Sequence, residues 1–389
     1  MPESQILEVT KSYLRELNYD LERLTVKSLR SIFSHVYYTW KILKRELGSE
    51  KALRVYGRVW EAIVIAQFKQ AIDNLGINKV DDIPTLGKIV EHCFSVNPCL
   101  YETIKSTPDY HVGHVHWCPN PAYGPHDCIF DRHDYYRQEV FLTINPYLST
   151  IIAEAKKLGF REDIEIEVPE GRCRDGNASF CQIILKKKGL PKIKPTIVSD
   201  CEKMFIEDQM EGQEPILYIL KKQGKTLEEC GPNCFISFFF VDMVIYDGLE
   251  KTLDTAKASD LYKKLWQTFP SEWVKEARLE LEIGRPKNLE DLGEIIVFCQ
   301  RKKFIPYQIV PHGDKLVTLI SRNDPFAEIP TRFLGKELNS SYFQAVASAD
   351  HEFIRKIIIE TKMSDKTEIQ EKKRLLKGDD RNEITIQYK

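Results

Sequence analysis

A chain of 389 residues, 42% hydrophobic and 29% charged, has an ordinary globular composition and a length that fits two or three domains. That excludes collagen-like, low-complexity and largely disordered readings. The formal charge of −2, from 56 basic and 58 acidic side chains, leaves no basic excess for neutralising phosphates, so a nucleic-acid partner is not expected.

The longest apolar runs, such as Phe238-Phe-Phe-Val241, are far shorter than the roughly 18 residues a membrane span needs. The N-terminal Met-Pro-Glu-Ser-Gln lacks the basic and apolar regions of a signal peptide. A cytoplasmic protein without a membrane partner is therefore expected. Ten Cys and nine His are unevenly spread, with five His and two Cys between His111 and His133. In a reducing compartment such cysteines point to metal binding or catalysis rather than disulfides.

In chain order, residues 26–48 and 51–76 carry helical spacing of apolar residues, with Gly48-Ser49 as stop and cap between them. A third helix is expected over 85–95, after Ile83-Pro84. His111 to Trp117 alternates and reads as a strand. A Pro/Gly-rich loop follows, from Cys118 to His126. Residues 136–158 are helical with an interruption near Asn145-Pro146. Ile164, Ile166 and Val168 alternate in a strand, Asp175-Gly176-Asn177 supplies a turn, and Phe180 to Lys186 returns. The basic stretch from Lys186 to Pro195 reads as a solvated linker. Cys230-Gly-Pro-Asn-Cys234 reads as a turn leading into a helix.

The chain then repeats itself. A shift of 206 positions aligns residues 31–93 with the second half without a gap, matching Phe33/Phe239, Leu43/Leu249, Ala52/Ala258, Tyr56/Tyr262, Trp60/Trp266, Leu86/Leu292, Gly87/Gly293 and Cys93/Cys299 among others. The same register returns at Tyr136/Tyr342, Gln138/Gln344, Ile151/Ile357 and Glu154/Glu360. The expected fold is α+β: a tandem duplication of N-terminal helices followed by a small antiparallel sheet, forming an intramolecular pseudo-dimer. The expected domains are a first module over 1–188, a linker over 189–200 and a second module over 201–389. A further homodimer is compatible with this plan.

Positions shared by the copies build the fold; the His/Cys cluster belongs to the first copy alone. Aligning Pro121 with Pro325 sets Thr318, Ile320 and Arg322 opposite His114, His116 and Cys118. On a strand, His114, His116 and Cys118 share one face, and imidazoles with a thiolate suit zinc or another divalent transition metal. His126, Cys128 and His133 could complete the set of ligands. A metal-free alternative uses Cys118 or Cys128 as nucleophile, His126 as base and Asp131 as orienter. Trp117, Tyr123 and Tyr135 would line a pocket, and Arg132 or Arg174 would grip an anionic small molecule. The second copy, lacking these residues, reads as a degenerate structural partner. Cys173 and Cys181 flank the hairpin turn.

The Cys118-Pro119 segment, the helix after it and a terminal hairpin from Asp175 to Cys181 resemble the L-2-amino-thiazoline-4-carboxylic acid hydrolase family and its uncharacterised bacterial relatives. The resemblance covers about residues 26–188 and implies hydrolysis of a small carboxylate-bearing ring containing sulfur and nitrogen, with Cys118 and Cys181 as the family-like positions. Two functions are thus in view: a metal- or Cys-dependent hydrolase of a C–N or C–S bond, and a non-catalytic metal- or small-ligand-binding protein. No other cofactor is expected.

Overall fold

The computed structural model describes residues 3–96, 99–117, 141–169, 181–193, 214–337 and 340–389. The first repeat runs α1 (Glu3–Leu17), α2 (Leu21–Leu47), α3 (Ser49–Leu75), α4 (Ile83–Val96), β1 (Leu100–Ser106), β2 (Tyr110–Trp117), α5 (Phe141–Lys157), β3 (Ile164–Glu167) and β4 (Cys181–Lys187). The second runs α6 (Pro215–Lys222), α7 (Leu227–Thr252), α8 (Thr255–Trp266), α9 (Pro270–Glu280), α10 (Leu289–Lys302), β5 (Gln308–Pro311), β6 (Leu316–Ser321), α11 (Pro325–Leu334), α12 (Ser341–Glu360), β7 (Thr367–Lys373) and β8 (Asn382–Tyr388).

Both sheets are antiparallel and four-stranded, with the orders β1-β2-β4-β3 and β5-β6-β8-β7. The fold is α+β, and its two modules have one topology.

The repeat register is visible in the element boundaries. The first residues of α2, α3, α4 and β2 are 21, 49, 83 and 110; those of α7, α8, α10 and β6 are 227, 255, 289 and 316, each 206 further on. From β4 to β8 the offset is 201, as 181 becomes 382 and 187 becomes 388. Local chemistry sets these boundaries. The Asp20 carboxylate caps α2 by accepting from the Arg23 amide at 2.6 Å, and Asp254 caps α8 through the Lys257 amide at 2.8 Å. The single helix α3 becomes two in the second repeat because Pro270, which has no N–H to donate, stands where the first has Val64.

Compactness groups the chain differently from the repeat: one unit holds residues 1–56 with 230–389, and the other holds 57–229. In the first unit, α1 packs on second-repeat residues. The Tyr13 hydroxyl donates to Glu328 Oε2 at 2.9 Å, and its ring lies 5.4 Å from that of Phe235. In the other unit, the segment after α6 binds the first repeat. Gln223 Nε2 donates to the Cys99 carbonyl at 2.8 Å, and Lys225 Nζ to the Ser95 carbonyl at 3.2 Å. The exchange of leading segments runs both ways. Lys225 is the counterpart of Tyr19 and Ser95 that of Arg301, and burial raises the Tyr19 phenol while Arg23 and Arg301 oppose it. Each repeat thus lends its leading segment to the other.

The first sheet packs one face on α4 and α5. Tyr101, Val115, Cys181, Ile183 and Leu185 meet Leu86, Ile89, Val90 and Cys93 of α4 and Leu148 and Ile151 of α5. His111 lies buried on this face, with Nε2 2.8 Å from the Tyr101 hydroxyl and Nδ1 3.3 Å from Ser106 Oγ. Two glycines make room for the pair: a Cβ on Gly113 would fall 1.8 Å from the Tyr101 oxygen, and one on Gly87 would fall 2.3 Å from His111 Nδ1. The second repeat keeps the same juxtaposition with smaller demands, since Gly293 faces Val317, each 206 beyond Gly87 and His111.

Several expectations need correction. Strand β1 does not show in the sequence, because it is an edge strand with a bulge between Thr103 and Lys105 and most of its side chains are exposed. Pro146 does not interrupt α5. Cys230 to Cys234 lies inside α7 rather than before it. Thr226 and Glu229 start that helix earlier with a reciprocal cap, the Thr226 amide to Glu229 Oε2 at 2.7 Å and the Glu229 amide to Thr226 Oγ1 at 3.3 Å. By length and composition α7 could also cross a membrane, but 72% of its most apolar window is buried, as in a core helix. Residues 136–140, the 175–177 turn and the linker from 194 onward lie outside the described residues.

Two predictions follow from this face. Gly113→Ala should cost about 1–3 kcal/mol in urea unfolding, because the added methyl must displace Tyr101. Burial also pushes the His111 imidazole down from 6.5 to about 4. A lowered folded value means that the unfolded chain binds the proton more readily. The associated stability is therefore complete above pH 6.5 and is lost as pH falls toward 4. His111→Gln should flatten the stability–pH curve in that window; an unchanged slope would contradict this assignment.

Candidate functional site

Alternation along β2 turns the even-numbered side chains to the opposite face of the first sheet. There, His114 stands beside Glu102 of β1 and Gln182 of β4 in the strand register. Gln182 Nε2 lies 3.1 Å from His114 Nε2, and Glu102 Oε2 accepts from His116 Nε2 at 2.8 Å. The two imidazoles are neighbours, with ring centroids 5.8 Å apart and planes at 73°. His114 is buried and His116 half-buried. Burial pushes the His114 imidazole down to about 4, the neighbouring His116 adds to this, and Glu102 opposes it. Farther along the face, Lys186 is buried and bridges Glu165 at 3.2 Å and Glu167 at 3.0 Å.

Of the residues expected in a site, His114 and His116 come together as their spacing suggests. Trp117 ends β2, and its side chain is outside the description. Cys118, Tyr123, His126, Cys128, Asp131, Arg132, His133 and Tyr135 fall in 118–140, and Cys173 and Arg174 in 170–180; both stretches lie outside the described residues. Cys181 is buried in the core cluster on the α4 side. Among the described residues, no three His, Cys, Asp or Glu side chains are grouped to hold a metal. What the face offers is a pair of imidazoles, one backed by a carboxylate, an arrangement often found behind metal-ligating histidines.

The structure changes the register of the internal comparison. Gly87 touching His111 matches Gly293 touching Val317, so β2 and β6 keep the offset of 206. His114 and His116 therefore stand opposite Ile320 and Arg322, and Cys118 stands opposite Asp324. The prolines at 121 and 325 gave an offset two residues short.

A second constellation was not visible in the sequence. In the second repeat, Arg374 is wholly buried, donating from Nε to Glu371 Oε2 at 2.7 Å and pairing through Nη1 with Asp350 Oδ2. The other Asp350 oxygen takes the Lys303 ammonium, and the Gln300 amide at 2.8 Å. Lys303 also lies over Phe353 at 4.7 Å and Trp266 at 4.9 Å. Burial works to raise the Asp350 carboxyl, but Lys303 and Arg374 outweigh it and hold it well below the usual carboxylate range.

Beside this cluster, Asp324 Oδ2 accepts from Asn382 Nδ2 at 2.8 Å, and Oδ1 caps α11 through the Phe326 amide at 3.0 Å. Burial raises its carboxyl, and the Asn382 bond opposes the rise. The one sequence signal was a carboxylate at 350 inside an apolar helical stripe of Val346, Ala347, Phe353 and Ile354.

No family model and no curated protein matches the chain. Among solved structures, a trafficking protein particle complex subunit 3 from Naegleria fowleri, crystallised covalently bound to palmitic acid, is similar at 16% identity, with a TM-score of 0.30, over 40% of this chain and 94% of that one.

The buried ion cluster yields a stability prediction. Arg374→Met leaves one Asp350 oxygen without its cation and Glu371 with Lys377 alone, and should cost about 3–5 kcal/mol. Equilibrium unfolding in urea measures this; a loss under about 1 kcal/mol would show the guanidinium to be dispensable.

Proposed function

We propose that the first repeat binds a divalent transition metal, zinc by preference, with His114 and His116 as nitrogen ligands and with Cys118, His126, Cys128 and His133 as the donors that complete the set. The observation that carries the reading is the neighbouring pair of imidazoles with Glu102 on His116. The internal comparison supports it. The second repeat builds the counterpart strand with Ile320 in place of His114 and ends it at Ser321, one residue before Arg322, so the imidazoles are not needed to form the sheet.

Support for the thiols comes from the sequence, in which Cys118 follows His116 by two residues and Cys128 lies between His126 and His133. The mixed nitrogen and sulfur donors suit zinc better than calcium or magnesium.

A hydrolase-like role on a small anionic substrate containing sulfur or nitrogen follows from the same site if one metal position stays open to water. Arg132 and Arg174 would then hold the anion, and Trp117, Tyr123 and Tyr135 would flank it. A closed set of protein ligands makes it a metal- or small-ligand-binding protein. In either case the second repeat is the structural partner, and the need for reduced thiols agrees with a cytoplasmic location.

Elemental analysis of purified chain should find close to one metal per chain, and His114→Ala and His116→Ala should each abolish stoichiometric binding. Glu102→Gln should weaken metal affinity by about 10–100-fold, as loss of a carboxylate behind a ligating histidine does. Wild-type protein that takes up no zinc or cobalt, or variants that keep full occupancy, would overturn the reading.

A further inference from the structure

Inside the compact unit that joins 1–56 with 230–389, one buried polar contact links a helix of each repeat. His35 of α2 lies with Nε2 2.8 Å from Asp242 Oδ1 of α7, and the two side chains are 1% and 0% exposed. The remaining Asp242 oxygen accepts from the Tyr262 hydroxyl at 2.6 Å and the Tyr342 hydroxyl at 2.8 Å. The His35 ring is enclosed by aromatic surface, 4.8 Å from Trp266 and stacked at 5.9 Å on Phe269. A polar pair in so apolar a setting is costly if either member loses its partner.

The repeat register makes this pair unlike everything around it. The counterparts of Tyr262 and Tyr342 are Tyr56 and Tyr136, so the hydroxyl donors are common to both copies. The counterpart of His35 is Val241, and that of Asp242 is Val36, both buried. If another first repeat took the place of the second, Val36 would replace Asp242 and leave the buried imidazole without its carboxylate. If another second repeat took the place of the first, Val241 would replace His35 and leave the carboxylate without its ring partner.

We propose that His35 and Asp242 are a pairing code: the α2 surface of the first repeat accepts the second repeat and rejects a further copy of itself, so chains do not associate through like repeats. The code acts as a buried polar residue does in a coiled coil, excluding alternatives that apolar packing alone would permit. It is independent of the metal site. Extended to these helices, the exchange of leading segments sets position 36 against position 241 within the proposal, Val with Val, with no code of its own.

Re-coding this second contact in the full-length chain tests the proposal. Val36→Asp gives the first repeat both halves of the code. Two such chains can then pair His35 of each with the introduced carboxylate of the other, while the within-chain contact buries that carboxylate against Val241. Light scattering after gel filtration should show the particle mass doubling relative to wild type. Adding Val241→His supplies the within-chain partner and should return the mass, and the melting transition, to wild-type values.

A folded Val36→Asp chain of wild-type mass would overturn the proposal. If that single variant does not fold, the double variant decides. Recovery of a folded chain of wild-type mass supports the code, and a double variant as defective as the single one contradicts it.

Discussion

The alternation of side chains along β2 is the constraint on which the first repeat depends. One set of positions must carry the core: His111 and Gly113 fit around Tyr101, and Val115 meets α4 and α5. The other set is thereby turned away from the helices, and it carries His114 and His116. The strand cannot slip by one residue without driving two imidazoles into the core and turning Val115 away from α4 and α5. The tight fit of Gly113 against the tyrosine makes such a slip still less favourable. Packing on one face thus fixes the chemistry on the other, and the site inherits the rigidity of the core.

The duplication separates what the fold requires from what it tolerates. Both repeats keep the helices, the sheet order and the glycine on the fourth major helix that faces the second strand of the sheet. They differ where a side chain is not needed for that plan. In the strand register Cys118 and Cys181 correspond to Asp324 and Asn382, and His114 and His116 to Ile320 and Arg322. The second repeat in turn has a buried ion cluster around Asp350, Lys303 and Arg374. The second copy is therefore not a blank version of the first. It has its own buried polar network, in which Asp350 pairs with both Lys303 and Arg374.

Much of the architecture was legible in the sequence, because helices such as α2 and α3 show their apolar stripes and the 206-residue register exposes the repeat. Proline marks the break that divides the counterpart of α3 into α8 and α9. Edge strand β1 was not legible, since exposure removes the alternation that marks a strand. The pairing of His114 and His116 was legible from their spacing by two. The Arg374 network was not, because Lys303, Asp350 and Arg374 lie far apart in the chain and only Asp350, set in an apolar stripe, carries a local sign of burial. The same holds for His35 and Asp242, whose meaning depends on which helix of the other repeat each one faces. Long-range polar contacts leave no periodic trace, whereas local packing does.

The central claim is that His114 and His116 both ligate one metal, and X-ray absorption of zinc-loaded protein tests it most directly. The account predicts a four-coordinate zinc with two nitrogen scatterers at about 2.0–2.1 Å and sulfur at about 2.3 Å, and loss of one nitrogen in His116→Ala. A coordination sphere without nitrogen, or one identical in wild type and His116→Ala, would contradict it.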